Sequence, residues 1–112
     1  MYQARFTSDA VEDIRGLPKN IKNILRKEIA GKVCRDPLGC SYELEEPLRG
    51  WRSFRYRNYR VIFQAFTPQK TVVIAAVGER QPQARSDVYR KLEALAEQGR
   101  LAGRILAALR GF

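Results

Sequence analysis

Between Trp51 and Val77 the chain holds three short runs rich in β-branched and aromatic residues, separated by turn signals, and no other feature restricts the fold as strongly. The runs are Trp51 to Arg57, Tyr59 to Phe66, and Thr71 to Val77. Asn58 marks a tight turn between the first two, and the segment TPQK marks a looser one before the third. Strands joined by connections this short pair as an antiparallel meander. If Arg57 and Asn58 form a two-residue turn, Tyr56 faces Tyr59, Arg55 faces Arg60, Phe54 faces Val61 and Ser53 faces Ile62. Phe54, Tyr56, Tyr59, Val61 and Phe63 then share an apolar face suited to a core. Ser53, Arg55, Arg60 and Gln64 share the other, with Trp51 at its margin.

The flanking segments supply what covers such a sheet. Residues 2–7 alternate and read as a first strand. Ser8 or Asp9 is placed to cap a helix whose stripe is Ala10, Val11, Ile14 and Leu17. Pro18 ends that helix or opens a second one, which carries Ile21, Ile24, Leu25, Ile29 and Val33 at helical spacing as far as about Cys34. Residues 36–50 are broken by proline and glycine, hold Glu43, Glu45 and Glu46, and read as a loop. After an irregular basic segment, Ser86 or Asp87 caps a helix with Val88, Leu92 and Leu95 on one side. A weaker helical stretch from about Arg100 to Leu109 follows, interrupted by Gly103. The expected fold is α+β in the order β-α-α-β-β-β-α, an antiparallel sheet with an N-terminal helical hairpin packed on one face.

At 112 residues the chain has room for one modest core. No apolar run reaches the ~18 residues of a membrane span, and the N-terminus lacks a signal peptide's apolar stretch. Membrane association is therefore not expected, and the expected compartment is the cytoplasm. Lys and Arg number 21 against 12 Asp and Glu, a net charge of +9, which favours a polyanionic partner. There is no histidine, which excludes a Cys/His zinc site and removes the usual acid–base catalyst near neutrality. Cys34 and Cys40 alone do not close a tetrahedral site and read as reduced, structural thiols. No metal or other cofactor is expected.

The charge is concentrated. Arg49, Arg52, Arg55, Arg57 and Arg60 fall in one stretch without an acidic residue. Like charges directly opposite on one sheet face repel, so Arg55 and Arg60 call for an anion between them. The planar, permanently charged guanidinium forks suit a phosphate. Arg49, Arg52 and Arg57 are expected to extend this phosphate- or RNA-binding surface.

The run LRGWRSFRYRNYRVIFQ, then TVVIAAVGER, then VY resembles the RelE/ParE superfamily of toxins from toxin–antitoxin pairs. The resemblance covers residues 1–92 as a toxin domain and leaves 93–112 as a C-terminal helical extension. Its most specific parts are Leu48 to Gly50, Tyr59 to Ile62, and Gly78 to Arg80. For a RelE-like member it implies an endoribonuclease that cuts mRNA in the ribosomal A site and inhibits translation. The chemistry is attack of a ribose 2′-hydroxyl on the adjacent phosphate, without a metal, giving a 2′,3′-cyclic phosphate. Carried over by motif, Arg60 binds and stabilises the phosphate, Arg80 supports the transition-state charge, Tyr89 orients or stacks the nucleotide, and Arg55 holds a basic position on the preceding strand. RelE itself has lysines on that strand; Ser53 and Arg55 stand there, and arginine is a poor base because its pKa exceeds ~12. Glu46, in the loop before the strand, is a candidate for proton transfer, ahead of Glu45.

The resemblance also implies an acidic antitoxin that folds over the basic surface, with assembly into a heterotetramer or larger complex. It leaves two alternatives open. One is a ParE-like inhibitor of DNA gyrase without nuclease activity. The other is a catalytically degenerate homologue that binds RNA or antitoxin only.

Overall fold

The computed structural model describes residues 1–110. Five strands and four α-helices follow in the order β1 (Gln3–Phe6), α1 (Ser8–Arg15), α2 (Lys19–Glu28), β2 (Tyr42–Glu43), β3 (Arg52–Tyr56), β4 (Tyr59–Phe66), β5 (Thr71–Glu79), α3 (Val88–Glu97) and α4 (Leu101–Leu109). A π-helical turn, Ile29–Val33, continues α2.

The sheet runs β1-β5-β4-β3-β2. The meander has the register that the two-residue turn predicts, with Tyr56 opposite Tyr59, Arg55 opposite Arg60, Phe54 opposite Val61 and Ser53 opposite Ile62. Arg57 takes the turn with a φ of 52°. Two expectations need correction at the edges of the sheet. β1 lies parallel to β5, with Gln3 opposite Thr71, so the sheet is mixed. The two helices of the hairpin form the crossover that a parallel pair requires. The segment 36–50 is not loop throughout: Tyr42 and Glu43 form a short edge strand against Ser53 and Arg52.

The N-terminal hairpin packs on one face of the sheet, as expected, and α3 and α4 cover the other. Ala10, Leu25, Ile29 and Val33 from the hairpin meet Phe54, Val61, Phe63, Val72 and Ile74 in the larger core. On the opposite face Val88 and Leu92 of α3 pack with Leu48, Trp51, Ile62 and Ala76. Leu101 and Ile105 of α4 join that second cluster, and Arg104 pairs with Asp9 at 2.7 Å. Leu106 and Leu109 of α4 remain exposed. Ala75 is the extra residue of a bulge between β4 and β5, since Ile62 faces Ala76 while Phe63 faces Ile74. Cys34 and Cys40 are free thiols, the first buried.

Helix α1 is capped by Thr7, one residue before Ser8. Its hydroxyl accepts from the Ala10 N–H at 3.1 Å and donates to the Ala75 carbonyl at 3.4 Å, tying the helix start to β5. Among the described residues no helix is long and apolar enough to cross a membrane.

Candidate active site

The second face of the β3–β4 hairpin is where charge and chemistry meet. Arg55 and Arg60 face each other across it. Arg55 is exposed, whereas Arg60 is 9% exposed and tucked under the turn. Its Nη1 donates to the carbonyls of Arg57 and Tyr59, each at 3.0 Å. Those carbonyl dipoles soften the repulsion from Arg55 and fix where the guanidinium points. Its Nε is buried with no partner among the described residues. None of those residues places a carboxylate within ion-pair distance of Arg55 or Arg60.

Three hydroxyls line up beside these arginines. The Tyr89 hydroxyl lies 2.9 Å from that of Tyr42 and 2.8 Å from that of Ser53. Ser53 is fully buried on β3 and faces Tyr42 on the edge strand, while Tyr89 reaches in from the first turn of α3. Partial burial pushes the Tyr42 phenol up. Hydrogen bonds to its charged form from Tyr89, Ser53, Arg55 and Arg60 outweigh that and bring it down to about 8. The Tyr89 phenol moves the other way, raised chiefly by burial and further by its bond to Tyr42 and the nearby Tyr42 charge. Tyr42 therefore ionises first, and Tyr89 stays a proton donor beside it.

A buried carboxylate positions the other half of the site. Asp87, with no exposed surface, caps α3 by accepting from the Tyr89 N–H at 3.2 Å. It also accepts from the Gln81 N–H at 2.6 Å and pairs with Arg80 at 2.6 Å. Burial alone raises its pKa, but Arg80 and the backbone N–H groups of Gln81 and Arg90 override that and hold it below the ordinary carboxylate value. The Arg80 guanidinium thereby lies over the Tyr89 ring, 4.6 Å from its centre. Only one of its nitrogens meets Asp87, which leaves other N–H donors for a ligand.

The remaining sequence-derived candidates divide by location. Glu46 lines an open cleft of about 190 Å³ with Leu44, Glu45, Leu48, Arg80 and Tyr89. Its carboxylate pairs with Arg49 at 3.3 Å, both side chains being largely exposed. Arg52 turns to the 38–41 loop, donating to the Ser41 hydroxyl at 2.7 Å and to the carbonyls of Leu38 and Ser41. Arg57, at the hairpin tip, stacks on Tyr56 at 5.4 Å. The structure thus gathers Arg60, Arg80 and Tyr89 near Arg55, borders them with Glu46, and leaves Arg49 and Arg57 outside, while Arg52 falls on the opposite sheet face, level with Phe63. Trp51 belongs to the second core. Sequence reasoning missed Tyr42 and Asp87 as site residues. The signal for Asp87 was its capping position two residues before Tyr89; Tyr42 gave none beyond its residue type.

A basic, two-core α+β domain with opposed arginines on a central hairpin, an arginine at the end of β5 and a tyrosine from the following helix defines a toxin class. The sequence model of the family described as "ParE toxin of type II toxin-antitoxin system, parDE" matches residues 4–84. The chain belongs to the RelE/ParE superfamily of type II toxins. Toxin RelG of Mycobacterium tuberculosis is 32% identical over 90 residues, which span 80% of this chain and 98% of that protein. The crystal structure of the RelBE2 toxin–antitoxin complex from the same organism superposes with a TM-score of 0.68 at 33% identity, covering 70% of this chain and 98% of the matched one. The isolated Escherichia coli RelE toxin shares the fold, with a TM-score of 0.61 at 23% identity over 87% of this chain and 98% of its own.

Proposed function

We propose that this toxin is a metal-independent endoribonuclease that cuts mRNA in the ribosomal A site and so blocks translation in the cytoplasm. The observation that carries the reading is the Arg55–Arg60 pair, opposed in register and without a carboxylate partner among the described residues, beside a hydrogen-bonded line of hydroxyls. A phosphate between the guanidinium groups removes their repulsion and gives the orphaned Arg60 Nε an acceptor. The same charges then stabilise the phosphorane that forms when a 2′-hydroxyl attacks. Arg80 adds charge from the α3 side, held in place by Asp87, and the Tyr89 ring and hydroxyl orient the nucleotide. Arg49, Arg52 and Arg57 contribute mainly to long-range attraction of the RNA.

An acidic antitoxin is the expected protein partner. The support is the charge of +9 and a 33% identical relative solved in a toxin–antitoxin complex.

The test combines 5′-end mapping of mRNA in a translating extract with a gyrase supercoiling assay. Codon-phased cuts with 5′-hydroxyl ends, abolished by Arg60→Ala and Arg80→Ala, are expected. Intact mRNA together with blocked supercoiling would overturn the reading in favour of gyrase inhibition, the activity that the resemblance to ParE implies.

A further inference from the structure

We propose that the Tyr42 phenol oxygen is the general base that takes the proton from the ribose 2′-hydroxyl. This rests on the nuclease reading and supplies the group that the motif comparison leaves unassigned. Four observations converge on it. Tyr42 sits on the edge strand opposite Ser53, and its ring is 42% exposed, so a substrate hydroxyl has access. Its oxygen lies 2.9 Å from that of Tyr89, on the sheet face that carries Arg55 and Arg60, and both arginines favour its charged form. Either oxygen of each pair can donate; with buried Ser53 donating to Tyr89 and Tyr89 to Tyr42, the Tyr42 oxygen is the acceptor at the exposed end of the line. The loop carboxylates and the arginines compete less well. Glu46 is paired with Arg49, and arginine does not deprotonate in proteins.

Burial opposes the phenolate, while Tyr89 from α3, Ser53 and Arg55 from β3 and Arg60 from β4 favour it. In the reaction the phenolate accepts the 2′-hydroxyl proton as the 2′-oxygen bonds to phosphorus. The bond from phosphorus to the 5′-oxygen breaks, and the leaving oxygen keeps the electron pair and takes a proton from water. The hydroxide so formed removes the proton from Tyr42 and regenerates the phenolate. The products are a 2′,3′-cyclic phosphate and a 5′-hydroxyl. The two tyrosines then hold the opposed tendencies that acid–base chemistry needs, one readily ionised and the other kept protonated.

The experiment compares wild type with Tyr42→Phe in cleavage of ribosome-bound mRNA, with kcat/KM followed from neutral pH to above the phenol's own value. In the wild type kcat/KM should rise with pH and level off near 8. Tyr42→Phe should lower kcat by about 100-fold with KM nearly unchanged, and flatten the pH dependence. An ultraviolet titration without RNA should show one early-ionising tyrosine in the wild type that is missing from the variant. Should Tyr42→Phe fold poorly, fluorotyrosine placed at position 42 keeps the hydroxyl and should move the inflection to lower pH. A Tyr42→Phe enzyme with unchanged kcat and pH profile, or an inflection unmoved by fluorination, overturns the assignment and leaves the nuclease reading standing. A wild-type chain that never cuts RNA overturns both.

Discussion

Asp87→Ala should destabilise the protein by about 3 kcal/mol, and the figure follows from three separate losses. Removing the cap leaves the first turn of α3 without its acceptor, costing about 1 kcal/mol. The Gln81 N–H, now 2.6 Å from a carboxylate oxygen, loses its partner in a partly buried place, for about 1 kcal/mol more. The pair with Arg80, one-third exposed on the arginine side, adds about 1 kcal/mol at most. For a chain of this size the total corresponds to a fall of roughly 12 °C in Tm. Asp87→Asn should lose less, about 1 to 2 kcal/mol, because asparagine still caps a helix. Urea unfolding followed by circular dichroism measures both. The pH dependence supplies an independent check. Asp87 titrates below its ordinary 3.8, so its contribution is complete above that value and fades as pH falls through the lowered one. Wild type and Asp87→Asn should therefore converge in strong acid. A loss under 1 kcal/mol for Asp87→Ala at neutral pH, or a wild-type advantage over Asp87→Asn that survives acid, refutes the role assigned to this carboxylate.

Other substitutions test other parts of the structure. Gly50→Ala should cost about 1 to 2 kcal/mol in thermal unfolding, because Gly50 has a φ of 91° although a Cβ there meets nothing closer than 3.6 Å. Phe63→Ala, at a fully buried position of the larger core, should cost about 3 to 5 kcal/mol by urea titration. Arg60→Gln removes a like charge opposite Arg55 and should leave stability at low salt unchanged or raised by up to about 1 kcal/mol. The same variant should lose much of the stabilisation that inorganic phosphate gives the wild type, read as a smaller rise in Tm.

The sequence revealed most where short-range rules act. The β3–β4 register followed from a two-residue turn, and with it came the opposition of Arg55 and Arg60. The helical stripe through Val88 and Leu92 was equally plain, but the face it covers was not. That face depends on Ile62 and Ala76, whose alignment is set by the bulge at Ala75. The first cap fell on Thr7 because β1 ends at Phe6 and the Thr7 hydroxyl reaches Ala75, a contact between residues far apart in sequence. Tyr42 was hidden for a related reason. A strand of two residues is too short to show a period, and only pairing with β3 brings its oxygen to Tyr89. The parallel partner of β1 was equally invisible, since alternation says which face a residue takes and nothing about which strand lies alongside.

The parallel pairing of β1 with β5 also sets an order of assembly. The β3–β4 hairpin closes across a two-residue turn, an event of microseconds that needs no other part of the chain. Gln3, by contrast, meets its partner only at Thr71, so β1 must wait while the intervening chain is made and closed into a long loop. The first strand to be synthesised is thus the last to be satisfied, and until it docks one edge of β5 stays open. Arg80, Asp87 and Tyr89 arrive later still. A partly made chain can hold the opposed arginines, but the sheet is complete only after β5 has been made, and the site only after the start of α3.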